Sequence, residues 1–260
     1  MRETLQTRDY VAINELDLSL FKDLNPHFTI SAIQDAVYKK FLSKTCGKNR
    51  QVITPNGKKL SATTVLEQYC RDRKEVSFEE LNSLGASLDP RGRTQSTCLI
   101  AAHKILVRVS ADLFVEESLI HFDVERVDEV ISVYCPGGFI PLKSVTDFSI
   151  FPYTGYPWNL FLLESYLRKF SRVFKYEVRS VNSSNVGVIV RKSFVYNDYD
   201  DIMAIALARS FVTLEDKKEA IEYLFQNGFI ARKNIEYIEK KVLLLAKRLR
   251  KAQGDNGAIR

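Results

Sequence analysis

Apolar residues recur at helical spacing before a short turn at three places in the chain. Segment 131–140 reads ISVYCPGGFI, segment 221–230 reads IEYLFQNGFI, and a weaker copy, LEQYC, occupies 66–70. In the two longer segments, apolar residues at i, i+3 and i+4 precede a glycine and an apolar pair. Apolar residues at this spacing share one helix face, and glycine readily adopts a left-handed cap. The pattern predicts a repeated unit of a helix, a tight turn and a second helix.

Helix-start and turn signals divide the chain around the weaker copy. Ser77 and Glu80 have the spacing of a capping box, which predicts a helix through Leu88. Apolar runs at 105–109 and 113–115, separated by a three-residue turn, predict a short hairpin. Ser31 and Gln34 predict a further capping box, opening a helix that runs to Phe41.

Residues 141–192 carry the signals of two helices followed by a hairpin. Segment 141–148 is predicted to be the second helix of its unit, and 158–171 the third, with Pro157 at its start. Apolar and polar residues alternate over 174–179 and again over 186–190, which is the period of a strand. Turn-forming residues at 182–185 join the two. The alternation places Lys175 and Arg179 on the face opposite the apolar residues, where solvent can reach them.

The order of three helices and a two-stranded hairpin resembles the winged helix-turn-helix superfamily. Residues 123–192 carry the fuller resemblance, and residues 61–122 a shorter one. The predicted fold class is mainly α with short β-hairpins, arranged as tandem winged-helix-like modules. The predicted domains are an N-terminal helical segment with a basic loop (1–60), two modules (61–122 and 123–195) and a C-terminal helical segment (196–260). The resemblance implies that the third helix enters a DNA groove and that the hairpin contacts the backbone.

Charge is distributed unevenly along the 260 residues, although the net charge is only +6. Seven basic and no acidic residues lie between Ala36 and Leu60, seven acidic residues lie within 116–160, and seven basic residues lie within 161–195. Such clusters are either solvated surface or contacts to a polyanion. Basic and amide side chains suit phosphate oxygens and base edges. The predicted nucleic-acid-binding residues are Lys44, Lys48, Arg50, Lys58, Lys59, Arg91, Arg93, Gln95, Asn159, Arg168, Lys169, Arg172, Lys175, Arg179, Asn182, Asn185, Arg191 and Lys192.

Signals for catalysis, metals and membranes are lacking in the sequence. The four cysteines form no Cys-x-x-Cys pair and the three histidines complete no zinc pattern, so we expect reduced core cysteines, no metal and no cofactor. Asp198, Asp200 and Asp201 precede an apolar run and are expected in the first turn of a helix. We expect a cytoplasmic protein, because the sequence has neither a signal peptide nor a membrane span.

Two functions remain open at this point. The first is a non-enzymatic DNA-binding protein, acting in transcription regulation or as the DNA-recognising subunit of a larger assembly. The second is a protein–protein adaptor, because a fold does not by itself fix a function. The predicted helix 234–252 has one apolar stripe, and its basic residues lie mainly off that stripe. Three alternatives are open for it: a docking helix for a partner subunit, a basic arm near DNA, or a helix whose stripe packs on its own chain.

Overall fold

The computed structural model describes residues 10–49, 52–56, 60–88, 94–180 and 185–257. The chain divides into two compact units. The first comprises Met1–Val107 with Ala111–Glu117, and the second comprises Arg108–Ser110 with Ser118–Arg260. The fold is mainly helical with three small antiparallel sheets, as the sequence predicted.

The N-terminal part of the first unit is a small sheet with helices between its strands. Its elements are β1 (Val11–Ala12), a 3-10 turn (Ile13–Glu15), α1 (Ser19–Leu24), α2 (Ile30–Val37) with a π-helical extension (Tyr38–Leu42), β2 (Cys46–Asn49) and β3 (Val52–Pro55). The sheet order is β1-β3-β2, over a core that includes Ile13, Leu42 and Ile53. Helix α2 is capped by Thr29, whose hydroxyl accepts from the Ala32 amide at 3.3 Å, so the predicted cap at Ser31 is wrong by two residues.

The remainder of the first unit contains a second three-stranded sheet and three helices. They are α3 (Ala62–Arg71), β4 (Glu75–Ser77), α4 (Phe78–Leu88), α5 (Thr94–Ile105), β5 (Val107–Arg108) and β6 (Leu113–Val115), with sheet order β4-β6-β5. The capping box is confirmed: the Ser77 amide donates to Glu80 at 2.9 Å, and the Glu80 amide donates to the Ser77 hydroxyl at 3.0 Å. The predicted hairpin is confirmed, but its first strand begins after Ile105, which ends α5.

The second unit opens with a third sheet of the same strand order. Its elements are α6 (Val124–Tyr134), β7 (Phe139–Pro141), a 3-10 turn (Leu142–Ser144), α7 (Leu160–Lys169), β8 (Phe174–Glu177) and β9 (Val188–Arg191), with sheet order β7-β9-β8. The predicted hairpin is confirmed by the pairing of β8 with β9. The predicted helix over 141–148 is wrong, because Phe139–Pro141 pairs with β9 and only one 3-10 turn follows it.

Helices from the C-terminal part of the chain cover the second face of this sheet. They are α8 (Tyr199–Arg209), α9 (Lys217–Gln226), α10 (Ile235–Tyr237) and α11 (Leu244–Gly257), the last two joined by a π-helical segment (Ile238–Leu243). Ile189 of β9 packs with α6 and α7, whereas Val188 and Val190 pack with the C-terminal helices. The middle strand is therefore buried on both faces.

The predicted glycine turns are confirmed at both long copies of the repeat. Gly138 has φ = 90° and Gly228 has φ = 78°, which is left-handed backbone that glycine adopts without a Cβ clash. A Cβ at Gly138 would lie 2.4 Å from the Phe194 ring. The repeat diverges after the turn, because β7 follows Gly138 whereas a short loop and α10 follow Gly228.

All four cysteines are free and buried, as predicted. Burial raises the pKa of Cys70 to about 12 and those of Cys98 and Cys135 to about 11. Because the thiolate is the reactive form, these three thiols should resist alkylation in the native protein. We expect iodoacetamide at pH 8 to label them only after denaturant is added, with mass spectrometry as the measurement. Rapid labelling of Cys70 in the folded protein would contradict its burial.

Candidate nucleic-acid interface

Helix α7 is held in the protein interior. Its residues Leu162–Leu167 are all buried, including the polar side chains of Glu164 and Ser165. The Ser165 hydroxyl accepts from the Arg108 amide at 2.9 Å and lies 3.2 Å from the Arg108 carbonyl oxygen. A helix covered in this way cannot enter a DNA groove without leaving its core. The groove-reading role that the resemblance implied for the third helix therefore has no support in this unit.

Asn159 is the N-cap of α7. Its side-chain oxygen accepts from the amides of Phe161 (2.9 Å) and Leu162 (3.1 Å), and its amide nitrogen donates to the Val109 carbonyl at 2.7 Å. Every polar group of this side chain is engaged at the helix start. Helix α7 thus begins at Leu160, two residues later than predicted. Asn159 caps this helix and its side chain is not free for a base contact.

Arg168 forms an internal ion pair rather than an exposed contact. Its Nε donates to Glu164 at 2.9 Å, and its guanidinium lies 4.6 Å from the centre of the Tyr176 ring. Burial raises the pKa of Glu164, while the charges of Arg168 and Arg108 oppose that rise. Because the carboxylate is buried, Arg168 is needed to neutralise it within the fold.

Asp128 fixes the chain where α7 leads into β8. One oxygen of its buried carboxylate accepts from the Tyr166 and Ser171 hydroxyls at 2.9 and 2.6 Å, and the other accepts from the amides of Arg172 and Val173 at 2.9 and 3.1 Å. Burial, then the Asp128 carboxylate, raises the pKa of Tyr166. A side chain on α6 thus sets the path of the residues from which several predicted basic contacts project.

Three cations lie around this turn, and we call them the cationic corner: Arg172, Arg191 and Lys192. Lys169 ends α7 before the turn and is not part of this set. Lys192 donates from its amide to the Val173 carbonyl and from its ammonium to the Ser171 carbonyl, both at 2.8 Å. The Arg191 guanidinium lies 4.9 Å from the centre of the Phe174 ring. Arg172 and Lys192 are exposed, and neither they nor Arg191 form an ion pair with any carboxylate of the described residues.

Lys175 and Arg179 contact side chains from later parts of the chain while remaining about 41% and 40% exposed to solvent. Lys175 pairs with Glu177 at 2.9 Å and lies 4.8 Å from the Tyr196 ring; hydrogen bonds with these two partners raise its pKa. The Arg179 guanidinium stacks 3.6 Å from the Tyr237 ring centre and 4.0 Å from Asp200. The predicted alternation is confirmed, but the face opposite the core is itself partly covered.

The other predicted contacts are scattered. Lys48 pairs with Asp35 beside the Tyr38 ring, while Lys44 and Gln95 are exposed. Asn185 has φ = 56° and a buried side-chain oxygen that has no hydrogen-bond partner among the described residues. The remaining predictions lie outside the described residues: Arg50, Lys58, Lys59, Arg91, Arg93 and Asn182.

The apolar stripe of the predicted helix 234–252 packs on its own unit. Ile238, Val242 and Ala246 are buried with α8, so this stripe is not free to dock on a partner. The opposite side of α11 carries exposed Lys247, Arg248 and Lys251. Phe211, in the loop after α8, is fully exposed, and no periodic pattern in the sequence marked it.

Neither a metal cluster nor a membrane span emerges from the described part of the chain. No group of three His, Cys, Asp or Glu side chains there could hold a metal ion. Asp198 caps α8 by accepting from the amides of Asp200 and Asp201, as predicted for first-turn acids. None of the described helices is long and apolar enough to cross a bilayer.

No protein-family model, curated protein or solved structure matches this chain. The arrangement of its own side chains therefore carries the functional argument.

Proposed function

We propose that the protein is a non-enzymatic, duplex-DNA-binding protein that contacts phosphates through the cationic corner. Three times along the chain, helices are followed by an antiparallel hairpin, and the second strand of that hairpin also pairs with a strand that precedes the helices. Helices closed by a hairpin are the arrangement on which the winged-helix resemblance rests. This recurrence supports tandem modules of that class.

The observation that carries the proposal is the contrast between two sets of cations around one hairpin. Lys175 and Arg179 are engaged by Glu177, Asp200 and two tyrosine rings, whereas Arg172 and Lys192 have no carboxylate partner among the described residues. Unneutralised cations on an ordered turn attract a polyanion and release its counterions on binding. The backbone amides that Asp128 holds give this turn a fixed shape suited to phosphate contacts.

Replacing Arg172 and Lys192 together by Gln should weaken binding to every duplex by a similar factor. Phosphate contacts carry no sequence information, so the plot of log affinity against log salt should flatten by about two units. Fluorescence anisotropy with a mixed-sequence duplex, over a range of NaCl concentrations, measures both quantities. Thermal stability should fall only slightly, because the Arg172 side chain is exposed and the Lys192 ammonium gives up one hydrogen bond, to the Ser171 carbonyl, worth about 1 kcal/mol.

The matched control is Lys175→Gln with Arg179→Gln, which removes the same charge from the neighbouring, partnered set. We expect it to retain the wild-type salt dependence. If the two double variants flatten the salt dependence equally, general charge and not the corner drives binding. Wild-type protein that shows no salt-dependent duplex binding would exclude the proposed function.

A second candidate function, a protein adaptor, is favoured by an apolar groove in the first unit. The groove has a volume of about 350 Å³ and lies between α1 and α2, with the rings of Phe21, Phe28 and Phe41 in its lining. Lys40 also lines it, and Lys39 beside it is exposed. This chemistry fits an amphipathic helix that carries acidic residues. The same duplex titration decides between the two functions.

A further inference from the structure

Phe211 stands in solvent between two ordered helices of the second unit. It follows the end of α8 by two residues, and its side chain is fully exposed. Its neighbours Ser210 and Thr213 are polar, and the next large apolar residue, Leu214, is buried. A phenyl ring left in solvent does not contribute the favourable free energy that burying it would give. Single exposed apolar side chains are common on protein surfaces, so this ring is informative only together with the residues around it.

Arg250 fixes the loop that carries this ring. Its guanidinium donates to the carbonyls of Leu207 (2.6 Å), Ser210 (3.0 Å) and Val212 (2.8 Å), on both sides of Phe211. The Leu207 carbonyl, which also accepts from the Ser210 amide at 3.2 Å, thereby gains a charged donor, and the carbonyls of Ser210 and Val212 in the following loop gain one too. These bonds also place α11 directly beside the loop, so the ring is presented from a rigid support.

The exposed side of α11 carries three cations around the exposed Leu244, and one of them, Lys247, reaches the loop between α8 and α9 through Glu215. Lys247 and Lys251 lie one helical turn apart on the same side, and Arg248 lies beside them. Lys247 approaches Glu215 only to 3.8 Å, and Arg248 and Lys251 pair with no carboxylate among the described residues. We call Phe211 with these three cations the C-terminal basic face.

We propose that the C-terminal basic face binds nucleic acid, with Phe211 stacking on or between bases and the cations of α11 neutralising phosphates. This inference rests on the proposed function and adds a second, chemically different contact to it. One ring among cations does not make the contiguous apolar patch that protein partners bury. Nucleobases, by contrast, offer flat faces beside anionic phosphates, which aromatic and basic side chains engage together.

The test compares Phe211→Ala with Tyr153→Ala, which removes another exposed aromatic ring from the acidic 116–160 stretch. Affinity is measured for a mixed-sequence duplex and for each of its separated strands. We expect Phe211→Ala to weaken binding about tenfold with an unchanged salt slope, because stacking is not ionic. Arg248→Gln with Lys251→Gln should instead flatten the salt dependence by about two units. Tyr153→Ala should bind as the wild type does.

A spectroscopic variant tests the stacking itself. The natural chain has one tryptophan, Trp158, whose indole donates to the Pro152 carbonyl at 2.7 Å and lies partly buried in the core. In Phe211→Trp, we expect nucleic acid to quench the added fluorescence, because an indole that stacks on a base loses emission. A loss confined to the duplex identifies a wedge between base pairs, and a loss shared by the single strands identifies stacking on unpaired bases.

Two results would overturn the inference. In the first, wild-type protein binds the duplex, Phe211→Ala binds equally well, and the fluorescence of Phe211→Trp is not quenched. Phe211 then takes no part in binding, and only the cationic corner remains as the proposed contact. In the second, wild-type protein binds neither nucleic acid, and the proposed function fails together with this inference. Equal losses in Phe211→Ala and Tyr153→Ala would also overturn it, since the ring's position would then be irrelevant.

Discussion

Replacing Asp128 by Asn should lower the free energy of unfolding of the second unit by roughly 2–3 kcal/mol. The carboxylate accepts four hydrogen bonds, two of them from the backbone amides of Arg172 and Val173. An amide side chain offers one acceptor oxygen and one NH₂ group, so either the hydroxyls or the backbone amides would face a donor. Urea denaturation followed by the fluorescence of Trp158, which packs in the same core, measures the loss.

Two companion variants separate this effect from general damage to α6. Glu129→Gln alters the adjacent, exposed carboxylate and should leave the denaturation midpoint unchanged. Tyr166→Phe removes one of the four donors and should lower the unfolding free energy by about 1 kcal/mol. A loss in Asp128→Asn no larger than that in Glu129→Gln would show that the four bonds do not hold the α7–β8 turn.

Replacing Arg250 by Gln should lower the free energy of unfolding by about 2–3 kcal/mol, because buried carbonyls at the end of α8 lose a charged donor. Arg248→Gln, two residues earlier on the same helix, makes the same chemical change at an exposed position. We expect that variant to stay within about 0.5 kcal/mol of the wild type. Differential scanning calorimetry of the pair compares a partnered with an unpartnered arginine at equal charge.

The two variants should rank in the opposite order when nucleic-acid affinity is measured instead of stability. Arg248→Gln should weaken nucleic-acid binding with its fold intact, since its guanidinium is free for phosphates. If Arg250→Gln proves as stable as Arg248→Gln, the loop around Phe211 is not supported by Arg250. Some other contact would then have to hold the loop that carries Phe211 in place.

Features governed by neighbours in sequence were predictable. The Ser77–Glu80 capping box, the first-turn aspartates of α8 and the left-handed glycines at 138 and 228 were all placed correctly. Each depends on contacts within a few residues, so the residue types alone carry the signal. The alternation over 174–177 likewise placed Phe174 and Tyr176 toward the core.

Features governed by distant partners were not predictable. Residues 139–141 form a strand because β9, about fifty residues later, offers backbone groups to pair with. Lys175 and Arg179 contact the rings of Tyr196 and Tyr237, which no local periodicity links to them. Asn159 carries the donors expected of a base contact, and only the position of Val109 reveals that they are engaged. Several of the predicted contact residues are therefore engaged inside the fold, and the binding role of the others stays a prediction.

Because β9 is buried on both faces, its core cannot be completed until residues later in the chain have been synthesised. Val188 and Val190 leave the ribosome well before the residues that cover them, among which are Ile202, Leu224 and Val242. Until α8 and the π-helical segment before α11 have emerged, a nascent chain presents one apolar side of this sheet to solvent or to a chaperone. The core of the second unit can therefore close over β9 only after the residues up to Ala246 have been synthesised.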